Sequence, residues 1–190
     1  MSYWEILAAL LSITYLLLAI KQNIWCWLAA FFSTLIYSIL FFDATLIMSS
    51  ILNAYYLLMA VYGWYSWKYS NKDFEDNLKV SSYSLMKNIK IIFILALISF
   101  ILGYFMKNYT NADFAYLDTT ITVFALFSTY MMTKKVLQNW LYWIIIDSAS
   151  IYLYAQKGFY LTAVLFLTYT ILAIFAYFQW KKEFKTIELR

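Results

Sequence analysis

The chain has 190 residues, of which 65% are hydrophobic and only 13% charged. A soluble domain of this length cannot hide so much apolar surface, so the composition excludes one and indicates an integral membrane protein. With a net charge of +4, one cysteine (Cys26) and no histidine, an internal disulfide, a cysteine metal cluster and the commonest general base are excluded as well.

Seven apolar helical spans are expected, at about 4–20, 24–42, 45–67, 89–106, 118–133, 139–156 and 159–180. The first opens with Ser2-Tyr-Trp-Glu5, a capping-box spacing. It has neither the positive leader nor the small-residue cleavage site of a signal peptide, so it reads as a span. Trp25 and Trp27 open the second span. The third carries Ser49, Ser50 and Asn53 at helical spacing and ends in Tyr62-Gly-Trp-Tyr-Ser-Trp67-Lys68. Asn53 suits either glue between helices or a hydrogen bond to a ribose or amide. The polar loop 68–88 is the one clear internal boundary. After the fourth span comes a shorter polar stretch, 107–116. The fifth span begins at Asp118, and Lys134-Lys135 follows it as a topology signal. The seventh ends in Phe175-Ala-Tyr-Phe-Gln-Trp180-Lys181. Trp67 and Trp180, each followed by lysine, read as interfacial anchors.

The sixth span holds the chemistry. From Gln138 to Tyr154 it runs QNWLYWIIIDSASIYLY, and Trp140, Trp143, Asp147, Ser150 and Tyr154 share one helical face. A carboxylate in mid-membrane is expensive and normally faces a bundle interior or a wet cavity. Indole faces beside one carboxylate suit a flat cation, because the rings attract positive charge and the acid balances it. The alternative is an aromatic packing seam in which Asp147 bonds a neighbouring hydroxyl.

Basic residues sort by side. Lys21, Lys68, Lys72, Lys79, Lys87, Lys90, Lys134, Lys135, Lys181, Lys182, Lys185 and Arg190 fall on one side, while only Lys107 and Lys157 fall on the other. The basic side is cytoplasmic, which places the N-terminus outside and the C-terminus inside. The chain also repeats. Trp67-Lys68 and Trp180-Lys181 lie 113 residues apart, as do Glu5 and Asp118. With a three-residue gap, Gln22-Asn23-Ile-Trp-Cys-Trp27 falls on Gln138-Asn139-Trp-Leu-Tyr-Trp143, so Trp27 matches Trp143 and becomes a further site candidate. With one span between the triplets, both cross in the same direction. The expected fold is all-α, seven transmembrane helices in two parallel three-helix repeats joined by a linker helix, a SWEET-like 3+1+3 arrangement. The corresponding divisions are 1–68, a loop 69–88, linker helix and outer loop 89–117, a second bundle 118–182 and a tail 183–190.

The segments YGWYSW (62–67) and QNWLYW (138–143), with the acid at Asp118, resemble the PnuC family of bacterial vitamin transporters over Glu5 to about Lys182. The resemblance implies facilitated diffusion of nicotinamide riboside, or of thiamine or a related cationic vitamin, across the bacterial inner membrane. A cytoplasmic kinase would trap the product. It places Trp140 and Trp143 at the substrate. Riboside carriers commonly have asparagine four residues after the second tryptophan. This chain has Asp147, which leaves the vitamin open.

No cofactor, metal or nucleic-acid partner is expected. The bilayer and a small cationic solute are the expected partners, and a homo-oligomer is compatible with the sequence. Two other classes stand against a facilitative carrier. A vitamin-binding subunit of an ATP-driven importer would typically have six spans and an Ala-x-x-x-Ala docking pattern, which this chain lacks. A membrane enzyme would need a nucleophile–base set or close-paired carboxylates, and none is spelled out.

Overall fold

Long apolar runs without proline become helices where lipid offers the backbone no other partner. The computed structural model describes residues 3–43, 47–69, 78–110 and 113–188. It contains α1 (Tyr3–Ile20), α2 (Cys26–Asp43), α3 (Ile47–Tyr69), α4 (Leu85–Tyr109), α5 (Ala115–Thr133), α6 (Asn139–Gln156) and α7 (Tyr160–Glu188). Each helix lies on one of the seven expected spans. Three segments, Tyr3–Ile20, Leu85–Tyr109 and Thr162–Ile187, are long and apolar enough by themselves to cross a membrane. Ser2 of the expected capping box lies outside the described residues.

Two helices run longer than their hydropathy suggests, each for a local reason. α4 starts at Leu85 because the Ser84 hydroxyl accepts the Lys87 N–H at 3.3 Å, a side-chain cap on an otherwise orphan donor. α7 continues past Trp180 to Glu188. Lys181, Lys182 and Lys185 are good helix formers, and their charge complements the negative end of the helix dipole. Hydroxyls inside the helices bond the carbonyl one turn back, as at Thr14→Leu10, Thr34→Ala30, Ser148→Ile144 and Thr168→Val164. That arrangement hides a polar group which lipid could not satisfy. Large apolar side chains point outward, among them Phe93, Ile145 and Phe175. In water this would be a liability; against lipid tails it is the expected surface.

The chain divides into two units, Met1–Val80 with Met132–Lys135, and Ser81–Met131 with Val136–Arg190. In the first, α1 packs on α2 and α2 on α3. Small residues let α1 and α2 approach, and one polar knot joins them. The Ser33 hydroxyl donates to the Ala8 carbonyl at 2.9 Å and lies 2.7 Å from the Ser12 hydroxyl. α2 meets α3 at Gly63, where an added Cβ would lie 2.5 Å from the Trp27 ring. Only glycine leaves room for that indole.

In the second unit α6 packs on α7. A core of Leu95, Val123, Ala125, Met131, Val136, Tyr142 and Ile146 joins α4, α5 and α6. Gly103 lets α4 approach Tyr116 of α5, since an added Cβ would meet that ring at 2.6 Å.

Candidate functional site

The same elbow occurs twice in the chain. The α1–α2 turn forms Gln22→Ala19, Asn23→Leu18, Cys26→Asn23, Trp27→Ile24, Leu28→Trp25 and Ala29→Trp25 backbone hydrogen bonds. The α5–α6 turn forms Lys135→Met132, Val136→Met131, Asn139→Val136, Trp140→Leu137, Leu141→Gln138 and Tyr142→Gln138. Every donor and acceptor of the first set recurs 113 residues later in the second. Both turns hinge on a left-handed residue, Gln22 at φ 52° and Lys135 at φ 48°. A non-glycine residue held there costs on the order of 1 kcal/mol, which the surrounding turn must offset.

The repeated geometry extends to the rings. Trp27 meets Trp67 edge-on at 5.3 Å and 85°, and Trp140 meets Trp180 edge-on at 5.4 Å and 86°. The indole N–H groups of Trp27 and Trp140 are both buried without a hydrogen-bond partner among the described residues. Two expectations are therefore corrected. Trp67 and Trp180 are buried under these partners rather than standing at an interface as anchors. Trp27 corresponds to Trp140, not Trp143, so the three-residue gap is unnecessary. The Gln-Asn dipeptides suggested it because they look alike, but they sit at different places in the turn.

On α6 the expected face divides by burial. Trp140 is 1% exposed and committed to Trp180. Tyr154 stacks on Phe166 of α7 at 5.2 Å and 11°. The Ser150 hydroxyl donates to the Ile146 carbonyl at 2.8 Å. Trp143 is half-buried and lies against the α4–α5–α6 core. Asp147 is 4% exposed, and among the described residues no hydrogen bond or ion pair to it occurs. A buried carboxylate without a partner is costly, and a cationic or hydrogen-bonding solute relieves that cost. Trp27 and Asn53 belong to the first unit. Trp27 is buried there beside Gly63 and Trp67, and Asn53 is half-buried on α3. The side chains of Ser49 and Ser50 lie outside the described residues.

Three residues escaped the sequence reading. Gln138 was seen only as part of a motif. Its carbonyl oxygen accepts the Tyr83 N–H at 3.0 Å, and its amide donates to the Ser82 hydroxyl at 2.7 Å and the Tyr83 carbonyl at 3.1 Å. With Leu137 N–H donating to Ser81 O at 2.8 Å, this pins segment 81–83 to the start of α6. Gly63 was not singled out. Lys135 was counted as a topology charge, yet it is 5% exposed, with Nζ 4.5 Å from the centre of the Trp67 ring. The Trp67 indole in turn donates to the Met132 carbonyl at 3.3 Å. The 113-residue offset, applied without a gap, pairs Gln22 with Lys135 and was the available signal. Nothing in the sequence shows that lysine's burial.

Seven helices with large apolar side chains on their outer faces, three of them long and apolar enough to cross a membrane, define a helical membrane protein. No cluster of histidine, cysteine or acidic residues suited to a metal occurs among the described residues. The sequence model of the nicotinamide mononucleotide transporter family matches residues 2–182, and the chain belongs to that family, one of transporters rather than enzymes. It is 24% identical to the nicotinamide riboside transporter PnuC of Escherichia coli strain K12, over 73% of this chain and 68% of that protein. The PnuC of Shigella flexneri matches to the same extent. In fold, a crystal structure of the vitamin B3 transporter PnuC superimposes with a TM-score of 0.78 at 17% identity, covering 97% of this chain and 83% of that one.

Proposed function

We propose that this protein carries nicotinamide riboside across the bacterial inner membrane by facilitated diffusion. The observation that carries this reading is Asp147, a buried carboxylate with no partner among the described residues, one helical turn from Trp143. Nicotinamide riboside has a flat pyridinium ring with a permanent positive charge. An indole face holds such a ring by about 0.5–2 kcal/mol, more when water is excluded. Trp143 and Asp147 make the direct contacts. Trp140, Ser150 and Tyr154 shape the wall that presents them. Asn53 and Trp27 remain candidates on their own unit, for polarity and for the ring pair respectively.

All seven helices span the bilayer in this reading, with the N-terminus outside and the C-terminus in the cytoplasm. α1–α3 and α5–α7 are parallel repeats joined by α4. The repeated elbows and the distribution of lysines support that topology. The division 1–68, 69–88, 89–117, 118–182 and 183–190 follows from it. A cytoplasmic kinase traps the substrate, and the carrier assembles as a homo-oligomer or acts alone. Thiamine is the second reading. The observation favouring it is again Asp147, an acid where riboside carriers commonly have asparagine, since thiamine presents both a cationic ring and an aminopyrimidine to a carboxylate.

Purified protein in liposomes without ATP or ion gradients should exchange labelled nicotinamide riboside for unlabelled riboside inside. Exchange of thiamine alone would select the second reading. Exchange of neither, or uptake only with an ion gradient or ATP, would reject the carrier mechanism. A cytoplasm-active reporter should give signal when fused at Arg190 and none when fused within 107–116.

A further inference from the structure

The first unit holds an aromatic pair matching that of the second, and a positive charge already lies on it. Lys135 leaves the elbow in a left-handed conformation, is almost wholly buried, and sets its ammonium 4.5 Å from the centre of the Trp67 ring. Trp67 is fixed in place by its edge-on contact with Trp27 and its hydrogen bond to the Met132 carbonyl. Gly63 clears the space that keeps Trp27 there. The equivalent elbow residue is Gln22, which adopts the same backbone without a charge. The turn therefore does not require lysine. A buried ammonium over an indole uses the same attraction that would hold a pyridinium or thiazolium ring.

We infer that Lys135 is a specificity-determining residue: its ammonium is the resident cation of the Trp27–Trp67 pair, and a cationic solute takes the Trp67 face only by displacing it. The inference rests on the carrier reading above and deepens it. Lysine thus limits how tightly the first unit retains a cationic substrate and so favours its release. A neutral solute does not compete for this contact.

The test uses the full-length protein, wild type and Lys135→Gln, Lys135→Met and Lys135→Arg, titrated with nicotinamide riboside and with its reduced, uncharged dihydro form. Glutamine is the first choice because the other elbow already tolerates it; methionine is a second way to remove the charge. Both neutral variants should bind the cationic riboside about 3- to 10-fold more tightly than wild type, the range expected for freeing one indole face. The dihydro form should shift less than about 2-fold, and Lys135→Arg should match wild type, since it keeps the cation on the ring. Equal shifts for both ligands, no shift for the cation, or arginine behaving like glutamine would overturn the inference and leave the carrier reading intact. Failure of wild type to bind either ligand would overturn both.

Discussion

α2 and α6 begin with the same turn, the same hydrogen bonds and the same edge-on tryptophan pair, and then diverge. At the next inward positions α2 has Ala30 and Thr34 where α6 has Trp143 and Asp147. Thr34 spends its hydroxyl on its own helix, donating to the Ala30 carbonyl at 2.8 Å, whereas Asp147 has no such outlet among the described residues. The elbows differ in a second way. Trp25 stands exposed against Trp64, while its counterpart Gln138 clasps segment 81–83. The two turns share a backbone frame, and the proposed direct contacts, Trp143 and Asp147, follow only one of them.

The equivalence of the two frames is most easily broken by truncating the buried rings. Trp27→Ala and Trp140→Ala should each destabilise the protein by about 3–5 kcal/mol, because each leaves a cavity beside a second tryptophan. Thermal melting in detergent reads both. A large loss for only one would mean that the elbows are alike in outline but not in load.

The chemical difference is sharpened next. Asp147→Leu should weaken riboside binding by about 2–3 kcal/mol, the worth of hydrogen bonds to a charged group, while holding or raising the melting temperature because a buried charge without a partner among the described residues is gone. Thr34→Val should leave affinity unchanged. Calorimetric titration beside melting curves checks the opposite signs, and a fall in stability without a fall in affinity would make Asp147 a structural residue.

Trp143→Ala should cost about 1–2 kcal/mol in affinity through the lost ring face, with a smaller stability loss than Trp140→Ala since Trp143 is only half-buried. The smallest effect belongs to the clasp. Gln138→Ala should cost about 1 kcal/mol of stability, and Trp25→Ala less than about 0.5 kcal/mol, because only the former removes hydrogen bonds to the half-buried Tyr83 backbone.

Hydropathy placed every helix, since in lipid an apolar run of sufficient length has no alternative to forming one. Helix ends were less legible, because Ser84 at α4 and the lysines of α7 act locally and outside the apolar signal. The α6 face was readable from its spacing, but spacing does not separate Trp140, which is spent on packing, from Trp143, which is half-free. That distinction depends on Trp180, forty residues away in sequence. Lys135 was opaque for a similar reason. A lysine in a short loop next to another lysine looks like a topology charge, and its burial arises only from Trp67, on a helix remote in the chain.

The buried Asp147 carboxylate, without a partner among the described residues, also bears on the kinetics of the proposed carrier. On the proposed site, a loaded carrier reorients with Asp147 satisfied by its solute. An empty one must make the same passage with that oxygen pair bare or carrying a proton. The two halves of the cycle would then be unequal in cost, and the return of the empty protein would be the slower. One-for-one exchange would outpace net flux, and a kinase that consumed the vitamin inside would hasten uptake only up to the speed of that unloaded return.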